Sequence, residues 1–216
     1  QVIAQVRSDL NFQKHWNGSL MWIGGSEGGA VASLLAPLFA ETTATALLCT
    51  GGGMTMAEEM MLVRAKALRK EGISEDGVAK SLAEIDTQFA QVRANPVSNR
   101  TLWGDTNTYK LWASILDMDL KTGLDGLKSD VYVAHGSEDQ SVPIESADHL
   151  VGKKKAEASS HWTYVRYDGL DHAFETKDRL SKKSQVLSDA LLWLLVTEDQ
   201  RLRYAFMKNP ALNVEL

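Results

Sequence analysis

The sequence predicts an α/β protein with a mainly parallel sheet, helices on both faces of the sheet, and an inserted helical cap. Short apolar runs of strand length alternate with amphipathic helical patterns, an order typical of parallel sheets. A central stretch, residues 54–128, contains helical patterns and no strand candidate. The first apolar run ends in glycines and passes directly into a helix, which indicates a sharp turn between the two elements.

The first part of the chain alternates between helical and strand patterns. Ile3, Val6 and Leu10 fall at helical spacing near the start. The segments that follow are predicted to form a strand, a helix and a second strand over 19–25, 27–40 and 45–50. Pro37 is expected to end or kink the helix, because proline lacks the backbone N–H that a helix interior needs.

The central stretch is predicted to contain three helices. The first is expected to stop at Gly72, since glycine is common just past the end of a helix. The second begins after the N-cap candidate Ser74 and ends at Asn95 and Pro96. The third covers residues 109–120. These helices are predicted to form the cap.

The last part of the chain returns to alternating elements. Strands are predicted over 130–134 and 163–167, with a helix beginning near Ile144 between them. A final helix reaches Val196, and four of its residues are predicted to face inward: Leu187, Ala190, Leu191 and Leu194. The patterns therefore divide the chain into two core parts and the cap between them, with boundaries at 1–53, 54–128 and 129–216.

Composition and charge exclude several classes of protein. The formal net charge is −5, so the chain has no overall attraction to nucleic acid or to anionic lipid. No apolar run approaches the length of a membrane span. The short run of lysines at 153–155 is interpreted as a solvated helix end. Of the 216 residues, 44% are hydrophobic and 24% charged, which predicts an ordinary globular protein.

The single cysteine, Cys49, excludes an intrachain disulfide, and its apolar neighbours favour a buried thiol over a reactive one. Cysteine poverty fits a reducing compartment and favours the cytoplasm. Export stays open as an alternative, because the chain begins at Gln1 and a processed start would hide a signal peptide.

The strongest chemical motif surrounds Ser26. Residues 24–28 fit the pattern G-x-S-x-G, with an apolar strand before the motif and a helix after it. Such a turn lifts the serine hydroxyl above the sheet, and the two glycines are expected to let neighbouring backbone pass without a clash. A phosphate-binding glycine turn or a plain loop would fit the five residues as well.

Two further motifs follow the later strands. Asp139 and its neighbour Glu138 lie just past the strand at 130–134, where a carboxylate could orient a base; either could instead be a cap or turn residue. His172 follows the strand at 163–167 and has the pKa range suited to proton transfer near neutral pH. Since the ends of parallel strands share one sheet edge, Ser26, the carboxylate and His172 are expected to meet.

These three segments resemble a known family. GGSEGG, HGSEDQSVP and GLDHAF are similar to the nucleophile elbow, acid loop and histidine loop of α/β-hydrolases, and the order Ser, Asp, His is also that of the family. The acid loop is most similar to the form H-G-x-x-D-x-x-V-P, which favours Asp139 over Glu138. The loops look most like those of esterases, dienelactone hydrolases or prolyl peptidases. The resemblance covers nearly the whole chain and is least specific in the cap.

The resemblance implies a serine hydrolase that cleaves a carboxylic ester or related acyl bond through an acyl-enzyme. Ser26 would be the nucleophile, His172 the base and Asp139 the acid, with the backbone N–H of Glu27 as one oxyanion donor. The partner would be a small-molecule acyl substrate, with no nucleic acid and no cofactor. The alternatives are a serine peptidase of the prolyl-oligopeptidase type and a non-catalytic hydrolase-fold binding protein. The oligomeric state is not indicated.

The position of the elbow departs from the family. In α/β-hydrolases several strands normally precede the nucleophile, whereas here it arrives at Ser26. The resemblance therefore implies the C-terminal portion of an α/β-hydrolase fold, with the second oxyanion donor missing and an unpaired edge on the first strand. A chain of this kind is expected to be a poor catalyst.

The remaining histidines and the large cap residues receive simpler interpretations. His135 is expected to support the turn of the acid loop. Three histidines have no partners at metal-ligand spacing, so no metal is assigned to them: His15, His149 and His161. Four cap residues either line an acyl pocket or, the favoured interpretation, form the core of the cap: Met60, Met61, Trp103 and Trp112.

Overall fold

The computed structural model describes residues 2–14, 18–104, 106–118, 120–125, 127–156 and 161–196. Within them, four strands form one sheet in which every neighbouring pair is parallel. In spatial order, the strands are β1 (Leu20–Gly25), β2 (Thr42–Leu48), β3 (Asp130–Gly136) and β4 (Trp162–Tyr167). The predicted parallel sheet is confirmed, and among the described residues β1 pairs with β2 alone.

Helices precede, connect and follow the strands. They are α1 (Val2–Ser8), α2 (Leu10–Gln13), α3 (Glu27–Leu35), α4 (Met56–Lys70), α5 (Glu75–Ala94), α6 (Tyr109–Ile115), α7 (Leu120–Asp125), α8 (Ile144–Ala156) and α9 (Lys183–Leu195). A 3₁₀ turn that contains Pro37 follows α3 and ends the helix, as the proline predicted. Among the described residues, no helix has the length and apolar character needed to cross a membrane.

Helices cover both faces of the sheet. Because side chains alternate along a strand, Val131 and Val133 of β3 pack in the core on the α3 and α8 side, while Tyr132 and Ala134 pack on the α9 side. Strands buried on both faces explain the continuous apolar run of β3 in the sequence. The prediction of helices on both faces is confirmed.

The second strand differs from its predicted range of 45–50. It begins at Thr42, because pairing with β1 extends through Thr42 and Ala44. It ends at Leu48, because Cys49 has a φ of 48° and leaves the extended conformation. Pairing with a neighbouring strand and a left-handed residue therefore fix its ends.

The start of the chain forms two short helices, whereas the spacing of Ile3, Val6 and Leu10 predicted a single helical pattern. The side chain of Asp9 accepts hydrogen bonds from the N–H groups of Asn11 (2.8 Å) and Phe12 (3.2 Å), which starts α2. This cap interrupts the helix and leaves Leu10 exposed. The prediction that Leu10 continues the helix face of α1 is wrong.

The third predicted helix of the cap, at 109–120, is shorter than predicted, and α7 begins where it was expected to end. α6 ends at Ile115, and the carbonyl of Leu116 accepts a hydrogen bond from the N–H of Ala57 (2.9 Å) at the start of α4. This contact between distant segments uses a carbonyl that a longer helix would need for itself. In the cap, the described residues contain a single pair in a β-bridge, Thr101 with Thr108.

The lysine run at 153–155 is not simply a solvated helix end. Lys154 is buried, forms an ion pair with Asp125, and lies 5.8 Å from the centre of the Trp162 ring. An aromatic face and a carboxylate together can hold an ammonium group that is largely removed from water. The sequence gives no sign of this contact, because Asp125 and Trp162 are distant in the chain.

The inward face of α9 is also different from the prediction at one position. Ala190 and Leu194 are buried and Leu187 packs against the same core, but Leu191 is 48% exposed. Trp193 is buried in its place, with its ring centre 5.4 Å from that of Tyr132.

Replacement of Trp193 by alanine is expected to lower the free energy of unfolding by about 3–5 kcal/mol, the usual cost of removing a large aromatic side chain from a core. Its Nε1–H also donates to Thr163 Oγ1 at 3.1 Å, so the variant leaves a buried hydroxyl without this donor. Urea unfolding measures the change. Leu192→Ala, at an exposed neighbour, is the control and should shift stability by no more than about 0.5 kcal/mol; equal losses in both variants would contradict the assigned packing.

Candidate active site

Ser26 lies on a strained turn between β1 and α3. Its φ is 52° and its ψ is −123°, a conformation that residues other than glycine rarely adopt. Such strain is typical of functional turns. A Cβ on Gly24 would lie 2.2 Å from the carbonyl oxygen of Gly28, so the first glycine of the motif is required.

Crowding does not require a glycine at Gly28, the second glycine of the motif. A Cβ on Gly28 would meet nothing within 4 Å, so the expectation that crowding requires both glycines is wrong. Gly29 is the crowded position, because a Cβ there would lie 1.7 Å from Thr50 Oγ1. The close approach is between the first turn of α3 and the residues that follow β2.

Ser26, His172 and Asp139 form a continuous chain of hydrogen bonds. Nε2 of His172 lies 3.0 Å from Ser26 Oγ, and Nδ1 lies 2.8 Å from Asp139 Oδ2. With the proton on Nδ1, His172 donates to the carboxylate and accepts from the serine hydroxyl. The three residues follow β1, β4 and β3, whose carboxyl ends meet at one sheet edge. The predicted residues therefore lie together, and their catalytic roles stay a prediction.

Asp139 is buried and saturated with hydrogen-bond donors. Its Oδ1 accepts from the backbone N–H groups of Ser141 (2.8 Å) and Val142 (2.9 Å). Burial alone would raise the pKa of this carboxyl, but the hydrogen bonds from His135, His172 and the two N–H groups outweigh burial and hold the pKa well below its usual range. Asp139 is thus a fixed, ionised partner for His172.

His135 contributes to this arrangement from a fully buried position. Its Nε2 lies 3.3 Å from Asp139 Oδ2 and 3.0 Å from the carbonyl oxygen of Val142. The ring therefore contacts both ends of the acid-loop turn. A second histidine on the carboxylate was not predicted from the sequence, although support of the turn was.

Glu138, the alternative acid, points elsewhere. Its side chain is exposed, and its backbone N–H donates to the carbonyl of Leu170 at 2.9 Å. The loop that carries His172 is held by Asp171, whose carboxylate accepts from the N–H groups of Ala173 and Glu175, both at 2.9 Å. Of the two neighbouring carboxylates, Asp139 is the one in contact with His172.

The Asp139 carboxylate raises the pKa of His172 above its ordinary value of 6.5, and burial opposes the rise only in part. Only neutral His172 can accept the serine proton, and a raised pKa keeps the ring protonated to higher pH. The acidic limb of kcat/KM for a neutral ester should therefore have its midpoint above pH 6.5. Rates measured between about pH 5 and 9 test this, and a midpoint clearly below 6.5 would contradict it.

Two cavities open beside Ser26. The cap-side cavity, about 380 Å³, lies between α3 and the cap, and its apolar lining includes Val31, Leu34, Met54, Met56, Leu111 and Ile115. The second cavity, about 520 Å³, lies on the other side of Ser26 and is lined by residues such as Ile23, Leu48 and Phe174. Ser26 is therefore part of the wall of both cavities.

The four large cap residues do not line the cap-side cavity. Met60, Met61 and Trp112 pack against the core of the cap, and Trp103 lies 6.0 Å from the rings of Phe89 and Trp112. The simpler alternative, that they form cap core, describes Met60, Met61 and Trp112, whereas Trp103 is 49% exposed and belongs to neither set.

Glu27, the predicted oxyanion donor, directly follows Ser26 in the chain. Glu27 is the first residue of α3, and the first N–H groups of a helix have no partners within it. The carbonyl of Ser26 accepts from Gly29 (3.0 Å) and Ala30 (3.2 Å), which holds the first turn in place. The oxyanion role of Glu27 stays a prediction.

Cys49 lies next to the triad as a buried thiol. Burial raises its pKa to about 12, so the thiolate that a metal would require is strongly disfavoured. Its sulfur and donor atoms of Asp139 and His172 lie within 4.8 Å of one another, the one such group among the described residues. Hydrogen bonds already occupy the aspartate and the histidine, so we assign no metal to them.

His149 and His161 lie outside the hydrogen-bonded chain of Ser26, His172 and Asp139. His161 Nδ1 lies 3.1 Å from Asp130 at the opposite end of the sheet, and His149 is on α8. His15 lies outside the described residues.

Sequence comparison finds no match to a protein-family model and none to a curated protein. Solved structures match the chain at low sequence identity. An esterase of Pyrococcus furiosus has a TM-score of 0.51 and 12% identity, covering 86% of this chain and 57% of its own. VinJ has a TM-score of 0.50 and 14% identity, with coverages of 89% and 71%. The esterase domain of a Rhodothermus marinus protein has a TM-score of 0.46 and 18% identity, with coverages of 86% and 64%.

The chain thus has the α/β-hydrolase fold. It spans 57% and 64% of the two esterase chains. The resemblance to esterases, dienelactone hydrolases or prolyl peptidases in particular stays a prediction. The expected absence of an N-terminal part of the fold also stays a prediction.

Proposed function

We propose that this protein is a serine hydrolase that cleaves carboxylic esters or related acyl bonds through an acyl-enzyme. The observation that carries the proposal is the hydrogen-bonded chain from Ser26 through His172 to Asp139, on a strained turn at the carboxyl edge of the sheet. The same arrangement performs acyl transfer on several unrelated folds, so the geometry supports the activity independently of the fold.

The reaction follows from the atoms in contact. Ser26 Oγ attacks the substrate carbonyl while His172 Nε2 takes the hydroxyl proton, and the same nitrogen later gives this proton to the leaving alcohol. Asp139 holds Nδ1–H and stabilises the imidazolium that forms. The N–H of Glu27, at the positive end of α3, supports the oxyanion. Water then attacks the acyl-enzyme carbonyl while His172 Nε2 takes its proton, and the same nitrogen returns this proton to Ser26 Oγ as the carboxylic acid leaves.

The division into core parts 1–53 and 129–216 around a cap, 54–128, belongs to this proposal. The cap supplies Met54, Met56, Leu111 and Ile115 to the wall of the cavity beside Ser26. Cap substitutions should therefore change the preference among substrates more than the chemical step, because these side chains touch the substrate and not the triad.

Labelling by a fluorophosphonate probe, together with hydrolysis of p-nitrophenyl esters, tests the proposal. A probe adduct on Ser26, found by mass spectrometry, and turnover of short esters are expected. Greater activity on a proline peptide than on esters would favour a prolyl-oligopeptidase type of peptidase. A folded protein that neither labels nor turns over either substrate would contradict the proposal and favour a binding protein.

A further inference from the structure

A buried acidic residue faces the site without any part in the proposed acyl transfer. Glu59 lies on α4, the first helix of the cap, and is only 5% exposed. The other buried residues of α4 are apolar: Ala57, Ala65 and Leu68. A carboxyl group removed from water is costly unless it has partners, so its position calls for a physical reason.

The partners of Glu59 favour its charged form. Ser146 Oγ accepts from the N–H groups of Gly52 (3.0 Å) and Gly53 (3.2 Å), which leaves its own hydroxyl proton to donate to Glu59. The N–H of Gly52 also favours the carboxylate. Burial raises the pKa of Glu59, while these hydrogen bonds oppose the rise. The carboxyl group is therefore held in place by hydrogen-bond donors, which stabilise its negative charge.

Glu59 is part of the wall of the cap-side cavity that Ser26 shares. The described lining contains a second acidic residue, the exposed Glu27, and contains no lysine, arginine or histidine. Most of the remaining wall is apolar, which weakens the screening of a charge by water. A second negative charge brought into this cavity would meet repulsion and would find no cationic partner there.

We propose that Glu59 sets the charge selectivity of the cap-side cavity. The protein then accepts esters whose acyl chain is uncharged and rejects esters whose acyl chain carries a carboxylate. The inference rests on the proposed function and adds the substrate class. The neutral acyl chain lies against the apolar wall, and the carboxylate of an anionic chain would lie near Glu59 with no counterion.

The test compares kcat/KM for p-nitrophenyl butyrate with that for the mono-p-nitrophenyl ester of glutarate, which has a carboxylate at the end of its acyl chain. The wild type should favour the neutral ester. Glu59→Gln keeps the size of the side chain and removes its charge, and it should lower the neutral-to-anionic ratio at least about tenfold, a factor equal to about 1.4 kcal/mol. A merely structural role would reduce both rates together and leave the ratio unchanged.

Two matched variants locate the effect. Glu71→Gln removes an exposed charge from the far end of the same helix, about 18 Å away at 1.5 Å per residue, and should leave the ratio unchanged. Glu27→Gln should have a smaller effect than Glu59→Gln, since Glu27 is exposed and its charge is screened. If Glu27→Gln alone changes the ratio, the assignment to Glu59 is wrong.

A further variant and a binding measurement keep the test decisive. Leu111→Lys adds a positive charge at an exposed position of the cavity wall and can be measured even if Glu59→Gln does not fold; an unchanged ratio would show that charge in this cavity does not select between the esters, which contradicts the proposal. Calorimetric titration with butyramide and with the monoamide of glutarate measures the preference without turnover. Absent fluorophosphonate labelling would contradict the hydrolase proposal, whereas equal binding of the two amides would contradict the charge selectivity.

Discussion

Replacement of Ser26 by alanine is expected to lower ester hydrolysis by about 10⁴- to 10⁶-fold and to abolish fluorophosphonate labelling. The serine hydroxyl, 3.0 Å from His172 Nε2, is the proposed nucleophile, and alanine leaves only cavity binding and the helix N-terminus to assist water. Because Ser26 is partly exposed and loses a single oxygen atom, the variant should stay folded.

Steady-state rates and the thermal midpoint, measured on the same preparation, check this expectation. Ser114→Ala, at an exposed serine of α6, is the matched control and should keep both activity and labelling. If Ser26→Ala retains more than about a tenth of the wild-type rate, hydrolysis does not proceed through this serine, since loss of a nucleophile costs far more.

Asp139→Asn is expected to reduce turnover by about 10⁴-fold, because an amide in place of the carboxylate favours the wrong histidine tautomer. In the wild type the carboxylate accepts from Nδ1 of His172 at 2.8 Å, so Nε2 is free to accept the serine proton. An asparagine NH₂ group could donate to Nδ1 and would place the ring proton on Nε2. Initial ester rates and the rate of probe labelling should fall together.

Glu138→Gln is the control for Asp139→Asn, because it makes the same chemical change at the neighbouring, exposed residue. Its turnover should stay within about twofold of the wild type, as expected for an exposed side chain outside the site. Urea unfolding of both variants separates lost chemistry from lost stability, since Asp139 also contacts His135 and two N–H groups. A severe defect in Glu138→Gln with a mild one in Asp139→Asn would transfer the acid role to Glu138.

Local sequence signals predicted most of the framework of the site. Periodicity distinguishes helices from strands, because side chains repeat every 3.6 residues in a helix and every two in a strand. Parallel strands then place their carboxyl ends at one edge, which is why Ser26, Asp139 and His172 could be expected to meet. The glycine at position 24 is likewise a local requirement, since it contacts the helix that begins three residues later.

Predictions were weaker wherever a distant contact decides the outcome. The third cap helix ends early because Leu116 bonds to Ala57, and Lys154 is buried because Asp125 and Trp162 surround it. In α9, Leu191 and Trp193 both fit an apolar helix, and only packing against Tyr132 selects the tryptophan. Helical spacing limits which residues can face inward, but the neighbouring elements decide which of them do.

The sequence by itself determined the order of the elements, the sharp turn at Ser26 and the three loops that carry the candidate triad, because each depends on residues close together in the chain. The tertiary structure decided which of two adjacent carboxylates contacts His172, and it placed His135 against that carboxylate. It also buried Glu59 in the wall of the cavity. Burial and hydrogen bonding of these side chains depend on elements distant in sequence, and no local pattern encodes how those elements pack together.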